Sequence, residues 1–405
     1  MHDHEIFHQR EESTALTFSG EELKVKETSE FSGYGIRALS SGRLGFAYCQ
    51  NENEVGKAIE KAKKVAHFSV KSTFSFAPEA SFTRPDIFDP SMDPYDYSKL
   101  KDLLDSVRNC AESFGGRARV ILSAGRFLND LRNSEGFSGE YQSTELSAYV
   151  ECMHGDGLGI GYLSSNKLAD VSGLGLKAAG MAKDMQGAKK PKAGRYTFVM
   201  QPEALDSLIE ILLASFSGDW KRRKISKISK GYQLSEKLNI YEDGLSQGTS
   251  ARPFDDEGTP SEKRCLVKNG KVHSFLYDRE TAALEGVEQS GACSRESYDS
   301  NPSIGAANIV VSPGDWNDLG EIEKYIELHY AHGSHTANLT TGDFGLEVSA
   351  AFMVEKEKRT PLKGFMITGN IFDLFSNIEA VESRQRIYAW LVSPRIAFGN
   401  LRVVA

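Results

Sequence analysis

The chain has 405 residues, 40% apolar and 26% charged, with a formal net charge of −8. That length and balance suit a globular protein of two domains, and no run of about 18 apolar residues is present to cross a bilayer. The acidic balance argues against nucleic acid as the default partner, and the polar start lacks the basic-then-apolar pattern of a signal peptide. The five cysteines, Cys49, Cys110, Cys152, Cys265 and Cys293, contain no Cys-x-x-Cys pair. They read as reduced thiols, which places the expected home of the protein in the cytoplasm.

Leu16 and Phe18 alternate with polar neighbours, a turn follows at 19–22, and Leu23 and Val25 alternate again. Period two on both sides of a turn predicts a hairpin. A second hairpin is predicted over 33–39 and 44–48. The first helix is expected over 52–68, where Val55, Ala58, Ile59, Ala62 and Ala66 share one face. A Pro-, Asp- and Phe-rich loop over 75–97 leads to a helix over 98–114, strands over 118–164 and a small-residue helix over 166–185. Residues 186–194 (QGAKKPKAG) form the best linker. Beyond it a strand is predicted at 195–200 and a helix at 202–217, then mostly hairpins. Asn269-Gly270 between 265–267 and 272–277 signals a type I′ turn. The expected class is α+β: an N-terminal α/β domain (1–190) of antiparallel hairpins with flanking helices, and a C-terminal, mostly antiparallel, barrel-like β domain (195–405).

His4-Glu5-Ile6-Phe7-His8 matches the zinc-protease pattern His-Glu-x-x-His. The pattern works only on a helix. In a strand, positions four apart lie roughly 13 Å from each other, too far for one metal. His329, His332 and His335 form a looser cluster; on a helix ending at Gly333 the first two would approach one ion. Asp255-Asp256-Glu257 could hold a divalent cation, although an acid-Gly-x-Pro run more often makes a plain turn. Residues 217–230 carry six basic residues beside Trp220, a patch that reads as a solvated face or a contact for an acidic partner.

The helix at 202–217 is the best specified. Pro202 suits its first position, Glu203 and Asp206 suit the N-terminal dipole, and Gly218 suits a stop. Leu205, Leu208, Ile209, Leu212 and Phe216 form one core stripe. Glu210 stands at its edge, a carboxylate that could serve as a general base or lie on a solvated flank.

Several stretches, taken in order, resemble the TldD/PmbA family, once called modulators of DNA gyrase. They are Gly35-Ile36-Arg37 with Arg43-Leu44-Gly45-Phe46-Ala47, then Phe254 through Pro260, Asn308 through Gly314, Thr341-Gly342-Asp343-Phe344, and Gly364 through Asn370. The resemblance implies a dimeric, cytoplasmic metalloprotease complex acting on unfolded or small modified peptides. In its catalytic TldD-type chain, zinc is held by His-Glu-x-x-x-His on a helix and by a Cys near the C-terminus. Gly218-Asp219-Trp220 with Arg222 and Arg223 matches the tail of that motif, making Glu210, Asp219, Arg222 and Arg223 the candidate substrate contacts. The motif positions then fall on Ile209 through Ala214: both histidines are replaced, by Ile209 and Ala214, and only Glu210 is kept. No Cys follows residue 378. The family's Glu-Asn-Gly turn is also altered, to Glu355-Lys356-Glu357-Lys358.

The resemblance therefore implies a PmbA/TldE-type subunit with no catalytic residue or metal of its own. It would work as a homodimer or as a heterodimer whose TldD-type partner carries the zinc. Two other readings stand beside it: a self-sufficient metallopeptidase using a non-standard metal site, or a regulatory adaptor of a gyrase-type machine.

Overall fold

A computed structural model describes residues 3–20, 22–317, 322–356 and 358–404. Residues 4–165 supply a six-stranded antiparallel sheet: β1 (His4–Ser19), β2 (Glu22–Ser40), β3 (Arg43–Cys49), β4 (Arg117–Asn133), β5 (Ser138–His154) and β6 (Gly157–Ser165), in the order β3-β2-β1-β4-β5-β6. Both expected hairpins are present as β1–β2 and β2–β3, although Glu21 of the first turn and Glu357 of the later altered turn lie outside the described residues. α1 (Val55–Ala66) packs on β2 and β3. α2 (Tyr97–Glu112) and α3 (Ser172–Asp184) pack on each other and on β4 to β6. The Asp96 carboxylate caps α2 by accepting from Lys99 N at 3.1 Å.

The helix expected from residue 166 begins only at Ser172. Tertiary bonds claim the missing turns: Asn166 Nδ2 donates to Thr144 O at 2.9 Å, and Leu168 N donates to Asp89 at 2.9 Å.

The second half holds β7 (Gly194–Met200), β8 (Ile240–Asp243), β9 (Lys263–Lys268), β10 (Lys271–Val272), β11 (Cys293–Ser294), β12 (Ser303–Ile304), β13 (Ile309–Val311), β14 (Lys324–His332), β15 (Asp343–Glu355), β16 (Lys358–Leu362), β17 (Phe365–Asn370), β18 (Ile378–Tyr388) and β19 (Leu391–Val404). β7, β14, β15, β17 and β19 close into a five-stranded barrel, because β19 pairs back to β7. Closure leaves those strands without open edges. The barrel interior and its helical cover share one core, including Phe198, Leu328, Leu346, Ile367 and Phe398. Asn269 and Gly270 both have positive φ (49° and 73°), as a type I′ turn requires.

α4 (Pro202–Ala214) stops three residues earlier than expected. Gly218 is no stop signal; it opens α5 (Gly218–Arg222), which Ser217 caps by accepting from Trp220 N at 3.4 Å. A Cβ at 218 would strike the Tyr277 ring, so packing is what demands glycine there. α6 (Arg279–Glu285) and α7 (Ile371–Ser376) complete the helices named here.

One expectation fails outright. Lys324–His332, carrying His329 and His332, is a strand rather than a helix. Tyr325, Ile326, Leu328 and Tyr330 are buried there between β7 and β15, and the register slips around His329. The i, i+3 histidine spacing imitates a helix, but the β-branched and aromatic neighbours suit the barrel wall.

Candidate functional site

The candidate chemistry lies in two places. The first is α4. Its buried face, Leu205, Leu208, Ile209 and Leu212, is fully enclosed in the barrel-side core. Ile209 is 0% exposed, Glu210 projects to solvent, and Ala214 is half-buried at the last turn. Isoleucine and alanine offer no lone pair, so the two positions that the resemblance assigns to zinc ligands do not fit that ion here.

Beyond α4, Asp219 binds Arg222 at 2.8 Å and Arg223 at 3.3 Å. The expected basic patch is thereby partly neutralised from within, and Lys221 pairs with Glu285. The loose histidine cluster is not assembled: His329 sits 3.5 Å from Glu327, which Arg359 also binds, and His335 lies in the turn beyond Gly333. His4 and His8 stand on β1; His8 stacks on Tyr34 with ring centroids 4.4 Å apart.

The second place is a buried charge network joining the halves. Arg37 donates to both oxygens of Glu5 at 2.8 Å and to Glu257 at 2.6 Å. Arg295 reaches Glu5 at 2.6 Å, and its backbone N–H donates to Asp256 at 2.7 Å. Arg279 N donates to Glu257 at 2.7 Å, while its guanidinium binds the carbonyls of Ser75 and Phe76. Burial alone would raise the pKa of Glu5, yet Arg37 and Arg295 together hold it below its usual value. Asp255 closes the turn by accepting from Glu257 N and Thr259 N, with Gly258 at φ +80°. Asp255, Asp256 and Glu257 thus make the plain turn and face arginines. The Glu of the apparent zinc motif is a structural anion.

Other motifs also meet in space. Asn370 Nδ2 donates to Asp343 at 2.9 Å and to Thr341 O at 2.8 Å, while its Oδ1 caps α7. Asn308 is fully buried and holds the loop at Ser246–Ser250. These pairings join stretches that are far apart in sequence, and no local pattern announces them.

Residues 193–405 match the family model described as PmbA/TldA metallopeptidase C-terminal domain, and residues 4–66 match that of domain 1. The chain belongs to the PmbA/TldD family. A Methanocaldococcus jannaschii protein of uncharacterised role is 28% identical over 410 residues, covering 97% of this chain and 94% of the relative. A Methanothermobacter thermautotrophicus protein named Metalloprotease is 26% identical over 400 residues, covering 93% and 86%. The solved structure of TldE from Thermococcus kodakarensis superposes with a TM-score of 0.90 at 22% identity, covering 100% of this chain and 97% of that one. The chain is a PmbA/TldD-type, metalloprotease-like protein with the family's α+β fold. Among the described residues no group of three His, Cys, Asp or Glu gathers as a metal set, and no helix is long and apolar enough to cross a membrane.

Proposed function

We propose that this chain is the zinc-less, PmbA/TldE-type subunit of a TldD/PmbA-type metalloprotease complex. It pairs with a zinc-bearing homologue and helps to hold unfolded or small modified peptides for cleavage in the cytoplasm. The observation that carries the reading is α4, where Ile209 and Ala214 occupy the ligand positions and Ile209 has become core. Losing two imidazoles and the distal thiolate removes every first-coordination donor of the family site while the supporting fold is kept. A subunit of this kind contributes surface, and extended peptides can add to a sheet edge through backbone hydrogen bonds. Glu210, Asp219, Arg222 and Arg223 are its proposed peptide contacts.

The test is a pull-down from the native cell followed by metal analysis. The reading expects a His-Glu-x-x-x-His homologue to co-purify, with zinc in that partner and peptidase activity, removable by a chelator, only in the pair. Stoichiometric zinc in the isolated chain, lost on changing its own histidines, would overturn it.

A further inference from the structure

Thr368-Gly369-Asn370, in one of the stretches that resemble the family, takes no part in the zinc positions or the buried charge network. It lines a cleft of about 360 Å³ where β7, β17 and β19 run beside α7. The cleft is on the outside of the barrel. Leu401 and Val403 of β19 are buried in the barrel-side core, and Arg402 between them points the other way. α7 packs in turn against α4.

Two arginines share this cleft. Arg402 of β19 and Arg195 of β7 are register partners, so their side chains leave the same face with Cβ atoms roughly 5 Å apart. Thr368 of β17 is the partner of Arg402 on its other side, which sets the two cations and a hydroxyl in one row. Arg195 is anchored by a neutral acceptor, donating from Nη1 to Asn400 O at 2.9 Å. Asn400 has φ +62° and lies where the β19 register slips, between Phe398 and Leu401. Among the described residues Arg402 makes no hydrogen bond or ion pair, and Arg195 has no carboxylate partner.

Like charges directly opposite each other on a sheet repel, and here nothing in the fold neutralises them. An anion lying between them would remove that repulsion. The rest of the lining narrows its class. The cations exclude an ammonium or a metal ion, and with no aromatic side chain in the cleft a nucleobase has nothing to stack on. Asp373, exposed in the first turn of α7, is the one acid of the lining. It opposes a doubly charged phosphate more than a single charge, and it can accept from an N–H beside that charge. Guanidinium forks match the planar oxygens of a carboxylate.

We propose that Arg195 and Arg402, with Thr368 and Asp373, form a subsite for a carboxylate carried by a peptide. The proposal deepens the peptide-handling role given above and rests on it for the identity of the ligand. The carboxylate can be a free C-terminus or an acidic side chain.

Three pentapeptides separate these sources when titrated into the full chain by calorimetry at pH 7 and low salt. They are Ac-Ala-Ala-Ala-Ala-Ala-OH, Ac-Ala-Ala-Glu-Ala-Ala-NH2 and the uncharged Ac-Ala-Ala-Ala-Ala-Ala-NH2, with inorganic phosphate as a fourth titrant. At least one carboxylate-bearing peptide should bind about tenfold more tightly than the uncharged one, and more tightly than phosphate. Arg195→Gln and Arg402→Gln should each erase that difference. The urea midpoint of Arg402→Gln should equal or exceed that of the parent chain, because the opposed charges are relieved. Equal binding of the three peptides, binding of none, phosphate binding as tightly as the charged peptides, or a preference that survives in either variant would overturn the subsite. A lowered midpoint for Arg402→Gln would overturn it too, by marking Arg402 as a structural cation. The pull-down reads the subunit role separately: pairing without carboxylate preference removes the subsite alone, and preference without pairing removes the subunit role alone.

Discussion

Arg37 and Glu257, 220 residues apart in the chain, meet at 2.6 Å in a fully buried contact between the first sheet and the turn before Pro260. Arg37 also faces Glu5 directly across the β1–β2 ladder, so one guanidinium ties a local strand pair to the distant half. It lies over the Phe74 ring, 4.5 Å from its centroid, which excludes water from the pair. Truncating one partner of such a network leaves the others charged and unsolvated. Arg37→Ala should therefore cost about 3–5 kcal/mol of stability, measured as a lowered midpoint in urea. Arg10→Ala, which removes an exposed pair with Glu30, should cost about 0–1 kcal/mol.

The elements were legible where one period dominates. Leu16 and Phe18 against Leu23 and Val25 announce a hairpin, and Leu205, Leu208, Ile209 and Leu212 announce a helix. β14 departs from the helical expectation because His329 and His332 copy helical spacing, while the real instruction lies in its buried aromatic and aliphatic neighbours. The charge network was hidden for a different reason. Glu5 and Arg37 look like ordinary polar residues on strands, and only hairpin register, with its slip near Thr17 and Phe18, sets them opposite each other. Arg295 and Glu257 come from loops whose positions no periodicity encodes.

Glu242 makes stability depend on pH in a distinctive direction. Burial pushes its pKa from the usual 4.5 up to about 7, although Arg252 and the Ala307 N–H, at 3.1 Å, partly oppose the shift. The folded state therefore holds a proton that the unfolded chain releases near pH 4.5. Its favourable contribution is complete below that pH and is lost as pH rises through 7, a swing of about 3 kcal/mol. Glu242→Gln, which keeps an oxygen for Ala307, should be close to neutral at pH 4.5 and stabilising at pH 8. Equal effects at both pH values in urea titrations would contradict the assignment.

Restoring the family's histidines at the altered positions should not restore zinc. Ile209 is fully enclosed, so Ile209→His puts a polar ring into a packed core at a cost of about 2–4 kcal/mol. The double change Ile209→His with Ala214→His still lacks the thiolate, since no Cys follows residue 378. Thermal unfolding should report the loss of stability, and metal analysis should find less than one zinc per chain.

Glycines in and beneath α3 make opposite predictions from the same substitution. A Cβ at Gly159 of β6 would overlap the carbonyl oxygen of Ala178 and approach Ala182 N to 2.6 Å. Both are backbone atoms of α3, which cannot rotate away, so the helix itself must lift from the sheet. Gly159→Ala should destabilise by about 1–3 kcal/mol or more, as overpacking does. A Cβ at Gly180, inside α3, meets nothing within 4 Å. There the helix loses only the excess backbone freedom of glycine, and Gly180→Ala should stabilise by about 0.5–1 kcal/mol. Urea midpoints that move in the same direction for both variants would mean that α3 does not seat on β6 through Gly159.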